Sequence, residues 1–292
     1  MTRSLKIRAY AKLNLGLVVE GKRANGYHDL DMVMQSVSLY DTITIARLEE
    51  PGIRFSCDAP GIPGSDNLCV RAVNALARWV GAPLPVAMTL EKRIPAQAGM
   101  AGGSADGAAV LAGLNQLFAL GLSEEELLPL AAGLGADMPF CLTGGTKRVR
   151  GFGERLLELP PLPDCVILVA KPGEGVPTAE SFARYDALGE KPRLSVEPLV
   201  RALLERDLRR AAGALCNGLE CCAGLDAIPR LVGKMEEMGA LGSRMTGSGS
   251  AVFGIFEGER EALACREALG KEAAFTALCR PVAAGWEIEG RL

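Results

Sequence analysis

The stretch from Ile94 to Leu122 constrains the fold more than any other part of the sequence. It reads IPAQAGMAGGSADGAAVLAGLNQLFALGL and contains a single charged residue, Asp106. Glycine and alanine dominate its beginning, and its second half has the apolar spacing of a helix. A helix with so little charge is expected to be buried inside a larger structure. We therefore predict a glycine-rich loop that leads into a core helix at about Ser104.

Composition places the chain among ordinary globular proteins. Its 292 residues are 49% hydrophobic and 23% charged, which excludes intrinsic disorder and a fibrous architecture and suggests two domains or one large one. Lysine and arginine number 32 against 35 acidic residues, for a net charge of -3. This balance argues against a protein that binds nucleic acid by neutralising phosphates, so an anionic ligand would need a local site.

The nine cysteines and the single histidine limit the metal chemistry. Cys216, Cys221 and Cys222 lack the paired CxxC spacing of a zinc or redox site, so we interpret the cysteines as reduced, mostly buried thiols. Because His28 is the one histidine, a site with two imidazole ligands is excluded. The sequence has no apolar leader segment and no run of 18 apolar residues, so we expect a cytoplasmic protein that does not span a membrane.

Hydrophobic patterning predicts a β-meander followed by helices in the first half of the chain. Leu13, Leu15 and Leu17 alternate with Lys12 and Asn14, which is typical of a strand with one polar face. The other predicted elements are strands over 5–10, 32–39 and 42–48 with an Asn25–Gly26 turn, a helix capped by Ser65 and Asp66 that ends at about Val80, a strand from Pro85 to about Glu91, and a helix capped by Ser123 that ends at Gly133 to Gly135.

The proline-rich segment LPPLPDC at residues 159–165 predicts a domain boundary, with one domain over 1–160 and a second over 161–292. A strand, CVILVAKP, follows this segment. The other elements predicted for the second half are helices over 178–186, 196–223 and 228–239 and strands over 243–246, 251–256 and 274–279.

The glycine-rich loop has the composition of a phosphate site. Gly99, Gly102 and Gly103 would let an anion reach backbone N–H groups at a helix N-terminus, and the Ser104 hydroxyl could bind phosphate or magnesium. A tight loop into a core helix explains the same residues without any ligand. No GxGxxG pattern occurs, and the GxxxxGK match at 16–22 is followed by Arg23 and overlaps a predicted strand, so we attribute it to chance.

Four further features, considered singly, also have ordinary structural explanations. Lys12 and Asn14 lie on the polar face of a strand, Asp137 follows a helix end, and His28 follows a turn. Near the end of the chain, SRMTGSGSAVFGIF predicts a hairpin at 247–249 whose backbone could also hold a phosphate or a substrate.

Taken together and in this order, the lysine strand, the glycine-rich loop and the glycine-rich hairpin resemble the GHMP kinase superfamily over most of the chain. The run AYAKLNLGLVVEGKRANGYHDL is similar to one branch of it, whose substrate is an alcohol that carries cytidine diphosphate in the non-mevalonate isoprenoid pathway. Homoserine and mevalonate kinases share the phosphate loop but lack the GKRxxGYH element. A kinase for another alcohol, such as homoserine, and a non-catalytic nucleotide-binding protein are the alternatives.

The resemblance implies an α+β fold in two domains, the first like domain 2 of ribosomal protein S5 and the second ferredoxin-like, with the active site between them. It also implies ATP as co-substrate with Mg²⁺, a small-molecule acceptor, and a monomer or homodimer. From the charge balance we expect no nucleic-acid partner, and from the lack of a long apolar run we expect no membrane association.

Residue by residue, the resemblance implies that Asp137 accepts the hydroxyl proton and that Lys12 stabilises developing charge. A lysine beside Asp137 would also orient that carboxylate and keep it ionised. ATP would be bound by Lys92, Pro95, Ala96, Gln97, Ala98, Gly99, Met100, Ala101, Gly102, Gly103, Ser104 and Ala105, with Ser104 also a metal ligand. The substrate would be bound by Asn14, Tyr27, His28, Asp137, Thr178, Phe182, Gly247, Ser248 and Gly249, with Tyr185 as the alternative stacking ring.

Three small residues depart from the family pattern. Ala101 stands where some members have glycine, and Ala105 stands where many have a second serine. Gly107 lies in the first turn of the predicted helix and lowers its helix propensity by about 1 kcal/mol relative to alanine. None of these departures removes a catalytic group.

Overall fold

The computed structural model describes residues 3–24, 26–59 and 66–291. Within these ranges, the first half of the chain forms six strands and four helices. Their bounds are β1 (Ser4–Lys22), β2 (His28–Arg47), β3 (Ile53–Cys57), α1 (Leu68–Val80), β4 (Val86–Glu91), α2 (Gly102–Leu117), α3 (Glu124–Leu134), α4 (Met138–Thr143), β5 (Thr146–Gly151) and β6 (Arg155–Glu158).

The second half alternates short strands and helices. Its elements are β7 (Val166–Lys171), α5 (Thr178–Asp186), α6 (Glu197–Leu204), α7 (Leu208–Gly213), β8 (Cys216–Asn217), α8 (Ala227–Glu237), β9 (Gly242–Met245), β10 (Val252–Phe256), α9 (Glu259–Leu269), β11 (Phe275–Cys279) and β12 (Trp286–Arg291), with 3-10 turns at Glu220–Cys222 and Gly270–Glu272.

Two long antiparallel strands, β1 and β2, replace the predicted meander, which is wrong. The short strands expected over 5–10, 32–39 and 42–48 are parts of these two strands. The register shifts three times along the pair, for instance between Tyr10 and Ala11, and such bulges bend a strand without ending it. The sheet order is β12-β1-β2-β4-β3, with β5 on the free part of β2, β6 on β5, and β8 parallel to β1.

Helix α2 is buried against the first sheet, as its composition predicts. Gly113 shows how closely the two approach, because a Cβ at this position would lie 2.9 Å from the Cδ1 atom of Ile45 and would also meet Ile7. The helix begins at Gly102, two residues before the predicted start at Ser104. Helices α1, α3 and α4 pack around it and complete the first core.

The second sheet has the strand order β11-β7-β10-β9, and all neighbouring strands are antiparallel. Helical segments connect β7 to β9, and α9 connects β10 to β11. This β-α-β-β-α-β connectivity is that of a ferredoxin-like unit, and it confirms the predicted α+β fold class.

The helix caps were predicted with mixed success. Asn67, rather than Asp66, caps α1, because its side-chain oxygen accepts a hydrogen bond of 2.8 Å from the backbone nitrogen of Cys69. Ser65, the other predicted cap, and Asn25 of the predicted turn lie outside the described residues. The cap at Ser123 is confirmed and forms a reciprocal capping box with Glu126.

The single helix predicted over 196–223 is wrong. Helix α6 ends at Leu204, and Arg206 then adopts a positive φ of 56°, which a continuing helix does not allow. Asp207 starts α7 by accepting a hydrogen bond from the backbone nitrogen of Arg210. The chain next forms β8, whose two residues extend the first sheet beside β1.

The last strand, β12, was not predicted and joins the first sheet beside β1. Its Trp286 donates a hydrogen bond of 3.0 Å to the carbonyl of Leu142 at the end of α4. The end of the chain therefore completes the sheet that the beginning of the chain started. None of the helices in the described ranges is long and apolar enough to cross a membrane.

Candidate active site

A cleft of about 1080 Å³ is lined by residues from both halves of the chain. It brings together residues that lie more than two hundred positions apart in the sequence. The predicted site residues that line it are Lys12, Asn14, Tyr27, His28, Lys92, the loop 95–104, Asp137, Thr178, Phe182, Gly247 and Ser248. Three predicted residues, Ala105, Gly249 and Tyr185, are not among its lining residues.

The glycine-rich loop presents an uncapped helix N-terminus to this cleft. Ala101 is the N-cap residue of α2, and its side chain makes no hydrogen bond to the first turn, which also holds no acidic residue. The first N–H groups of the helix therefore have no side-chain acceptor, and together with the helix dipole they can bind an anion. Ala105 is fully buried below this turn.

The hairpin at 246–250 packs directly against the glycine-rich loop. The Thr246 hydroxyl donates to the carbonyl of Gly99 over 3.3 Å, and the backbone nitrogen of Ser250 donates to the carbonyl of Gln97 over 3.1 Å. Gly99 has a φ of +70°, and a Cβ on it would meet the backbone of Thr246 and lie 3.0 Å from the nitrogen of Gly249. Only glycine fits this position.

Lys12 is buried and is held against the loop. Its ammonium donates to the side-chain oxygen of Asn14 over 2.5 Å and to the carbonyl of Gly99 over 2.8 Å. Within the described part of the chain it forms no ion pair with Asp137, so the direct contact expected between the two is not found in this structure. The backbone nitrogen of Lys12 also donates to the carbonyl of Met100, which fixes β1 to the loop.

Asp137 lies at the start of α4, half-buried, and faces the cleft. Its carboxylate has no hydrogen bond or ion pair with any of the residues described by the structure. A Cβ on Gly135 would lie 4.0 Å from the Ser104 hydroxyl oxygen, so the segment that carries Asp137 runs beside the first turn of α2. The carboxylate is therefore available to a ligand near the phosphate loop.

Lys92 lies between two buried carboxylates that the sequence analysis did not select. Its ammonium pairs with Asp41 and, over 2.7 Å, with Asp106. Burial, and then the neighbouring charge of Asp41, raises the pKa of Asp106 to about 8. The remaining oxygen of Asp106 is buried without a hydrogen-bond partner among the described residues. Its position as the one charge in an apolar stretch was the signal that could have identified it.

An aromatic cluster lies at the part of the cleft between β1, β2 and α5. The rings of His28 and Phe182 are stacked, with centroids 4.6 Å apart and planes inclined by 20°. Tyr27 is exposed, and its ring centroid lies 6.1 Å from that of Phe152, a residue that the sequence analysis missed. Tyr185 is buried and points its hydroxyl towards the carbonyl of Val19, so of Phe182 and Tyr185 only Phe182 lines the cleft.

Asp186, at the end of α5, links this helix to the β1–β2 hairpin. Its carboxylate bonds to Nε2 of His28 over 2.8 Å and to the ammonium of Lys22 over 2.6 Å. Hydrogen bonds from Lys22 and then from His28 lower the pKa of Asp186 to about 2. Asp186 and Lys22 were both missed, because nothing in the local sequence indicates that they meet.

Known protein families match both halves of the chain. The model described as GHMP kinases N terminal domain matches residues 67–145, and the model described as GHMP kinases C terminal matches 199–274. A 4-diphosphocytidyl-2-C-methyl-D-erythritol kinase from Caldicellulosiruptor bescii is 41% identical over 94% of this chain and 98% of its own length. The enzyme of the same name from Gloeobacter violaceus is 40% identical over 97% of this chain and 96% of its own.

The chain belongs to the 4-diphosphocytidyl-2-C-methyl-D-erythritol kinase family. The resemblance to GHMP kinases is thereby confirmed, and with it the assignment to the ATP-dependent kinases. A crystal structure titled 4-(cytidine 5'-diphospho)-2C-methyl-D-erythritol kinase matches with a TM-score of 0.79 and 35% identity, over 94% of this chain and 98% of that one. Homoserine kinase from Cytophaga hutchinsonii has a TM-score of 0.80 at 19% identity, over 99% and 98% of the two chains, which shows a shared fold alone.

Proposed function

We propose that this kinase transfers the γ-phosphoryl group of ATP to the 2-hydroxyl of 4-diphosphocytidyl-2-C-methyl-D-erythritol. The observation that carries the proposal is that one cleft joins an uncapped helix N-terminus, an unpaired carboxylate and a stacked aromatic pair. Relatives about 40% identical over most of their length carry the name of this activity. The uncapped N-terminus suits phosphates, the carboxylate suits a hydroxyl proton, and the rings suit a nucleobase.

The nucleotide phosphates would lie on the loop 95–104. The first residues of α2 line the cleft, and their backbone N–H groups would donate to phosphate oxygens. Three segments hold the loop in place, namely β1 through Lys12, the hairpin at 246–250, and β2 through Asp41, which accepts a hydrogen bond from the backbone nitrogen of Ile94. A loop that is fixed before ATP binds loses little conformational freedom on binding, which favours affinity.

Asp137 and Lys12 would carry the chemistry. Phosphoryl transfer depends mainly on positioning and on neutralising charge, and a carboxylate that accepts the hydroxyl proton is the usual base. The Asp137 carboxylate has no competing partner in the described residues and can accept that proton. The Lys12 ammonium has three N–H donors, of which Asn14 and Gly99 accept two. The third would bind an oxygen of the transferred phosphoryl group.

The residues at the site fit Mg²⁺ that arrives bound to ATP. No cluster of three or more His, Cys, Asp or Glu side chains that could hold a metal occurs in the described ranges, so these residues form no complete protein cage. Mg²⁺ does not need one, because it keeps water ligands and binds largely through substrate phosphates. The Ser104 hydroxyl in the first turn of α2 would add one oxygen ligand. The bound ion supplies positive charge to the phosphates.

The cytidine end of the substrate would bind at the aromatic cluster. A base can stack on Phe182 or Tyr27 and can hydrogen-bond to His28, whose ring orientation Asp186 fixes. The hydroxyl oxygens of Thr178 and Ser248 are 3.1 Å apart and form a hydrogen bond that connects α5 to the hairpin at 246–250. This end of the cleft is therefore continuous with the glycine-rich loop. Asn14 lies beside Lys12 and lines the same cleft.

The proposal is tested by ADP release from Mg-ATP with 4-diphosphocytidyl-2-C-methyl-D-erythritol, homoserine, mevalonate and galactose as separate acceptors. We expect turnover with the first acceptor alone. Turnover with another alcohol would contradict the proposed acceptor but would still agree with a kinase activity. ATP binding without ADP release on any acceptor would indicate a non-catalytic protein.

A further inference from the structure

The carboxylate of Asp41 lies fully buried on β2, at the point where the first sheet meets the phosphate loop. One of its oxygens accepts hydrogen bonds from two consecutive backbone nitrogens, that of Arg93 over 2.5 Å and that of Ile94 over 2.8 Å. These are the last two residues before Pro95, where the loop begins. A single charged acceptor therefore fixes the direction in which the chain enters the loop.

The second oxygen of Asp41 pairs with the Lys92 ammonium. A Cβ on Gly102, the first residue of α2, would lie 3.2 Å from that ammonium and 3.0 Å from Cγ2 of Ile94. Lys92 and Ile94 thus both lie against the start of the helix, and both are held by Asp41. The positive end of a helix dipole repels a cation, so the ammonium needs the negative charge of the Asp41 carboxylate to stay there.

We propose that Asp41 is a positioning residue for nucleotide binding, which holds the Lys92 ammonium and the entrance of the phosphate loop in the geometry that receives the ATP phosphates. Asp41 does not line the cleft and would not touch the nucleotide itself. It acts through Lys92 and through the backbone of Arg93 and Ile94. The proposal rests on ATP as the phosphoryl donor and does not depend on which alcohol is the acceptor.

The substitution Asp41→Asn separates these contacts with little change of shape. Asparagine keeps one oxygen for the backbone nitrogens of Arg93 and Ile94 but places an NH₂ donor against the Lys92 ammonium. We expect the KM for ATP to rise about tenfold, the usual order for the loss of a charged hydrogen bond, and the KM for the acceptor to change by less than about twofold. The Kd of a non-hydrolysable ATP analogue should rise by the same factor as the KM for ATP.

Asp31→Asn is the matched control. Asp31 lies on the same strand and is also buried; its carboxylate pairs with Arg148 at 2.6 Å, and neither residue lines the cleft. This variant should lose stability without raising the KM for ATP or the Kd of the analogue. Three results would overturn the positioning role. The KM for ATP could rise equally in Asp31→Asn, the KM values for ATP and for the acceptor could rise equally in Asp41→Asn, or the KM for ATP could stay unchanged in Asp41→Asn.

Hydrogen exchange on the unmodified protein provides a test that does not require Asp41→Asn to fold. With no nucleotide bound, the amide hydrogens of Arg93 and Ile94 should exchange as slowly as those inside β4, because Asp41 already accepts both. Rapid exchange at these two amides would overturn the proposal. The binding of the ATP analogue and the amide hydrogen exchange are both measured without an acceptor. A wrong acceptor would therefore leave both results unchanged, whereas a wrong role for Asp41 would change them.

Discussion

Ala101 adopts a left-handed backbone conformation, with φ 57° and ψ 31°, that its methyl group disfavours. This conformation costs a non-glycine residue about 1–2 kcal/mol, whereas glycine adopts it freely but loses about 0.5–1 kcal/mol more entropy on folding. We therefore expect Ala101→Gly to raise the free energy of unfolding by about 0.5–1 kcal/mol, measured by urea denaturation. Ala132→Gly, inside α3, is the control and should lower it by about 1 kcal/mol. Equal losses in both variants would contradict this reading of Ala101.

Asp137 is the side chain on which the proposed chemistry depends most. Asp137→Asn keeps the shape of the residue but removes the group that accepts a proton, so kcat should fall by about 100-fold or more. The Kd of an ATP analogue should stay within about twofold, because the Asp137 side chain makes no hydrogen bond to the phosphate loop. Steady-state kinetics and analogue titration on the same preparation check both values. A kcat close to that of the unmodified enzyme would remove Asp137 as the base.

At the scale of an element, α2 carries the buried carboxyl of Asp106 inside an otherwise uncharged helix. The pKa of Asp106 is about 8 in the folded state, above the ordinary value of 3.8. At a pH between these two values, Asp106 is therefore ionised in the unfolded chain and protonated in the folded chain. The contribution of this group to stability is therefore complete below about pH 4 and is lost as the pH rises towards 8.

Asp106→Asn should remove this pH dependence. In urea denaturation at pH 5, 6, 7 and 8, the stability of the variant relative to the unmodified protein should increase steadily with pH. Asp31→Asn is the control, because the pKa of Asp31 is lowered and its effect on stability should be constant across this range. Curves for Asp106→Asn and the unmodified protein that run parallel from pH 5 to 8 would contradict the raised pKa.

Elements with strong local signals were predicted well from the sequence. Helix α2 follows from a stretch with one charge and helical spacing, α3 from the cap at Ser123, and the strands of the second sheet from short apolar runs between turns. The long strands β1 and β2 were predicted as several short strands, because each bulge shifts the alternation of side chains that marks a strand. The two site lysines, Asp137 and the site glycines other than Gly249 followed from family motifs and line one cleft.

The parts of the site that were not predicted depend on contacts between distant residues. Asp41 meets Lys92 across 51 positions, and His28 meets Asp186 across 158. A carboxylate on a strand gives no local indication of which cation the fold will place beside it. The same reason explains β12, whose six residues become a strand because β1 offers them an edge.

For the whole molecule, the first sheet joins the two ends of the chain. Trp286 on β12 packs against the first core and bonds to the end of α4, so Trp286→Ala should lower the free energy of unfolding by about 3 kcal/mol. The chain's other tryptophan, Trp79, is 52% exposed, and Trp79→Ala should lower it by less than about 1 kcal/mol. Similar losses in the two variants, measured by urea denaturation, would contradict a structural role for β12 in the first sheet.

The measurement that tests the proposed reaction most directly is a ³¹P NMR spectrum of the products formed from Mg-ATP and 4-diphosphocytidyl-2-C-methyl-D-erythritol. We expect the resonances of ADP and one new phosphomonoester, with the diphosphate linkage of the cytidylyl substrate intact. The same spectrum from Asp137→Asn should show unreacted ATP. ADP with inorganic phosphate alone would contradict transfer to the alcohol, since it would mean that the cleft delivers the phosphoryl group to water.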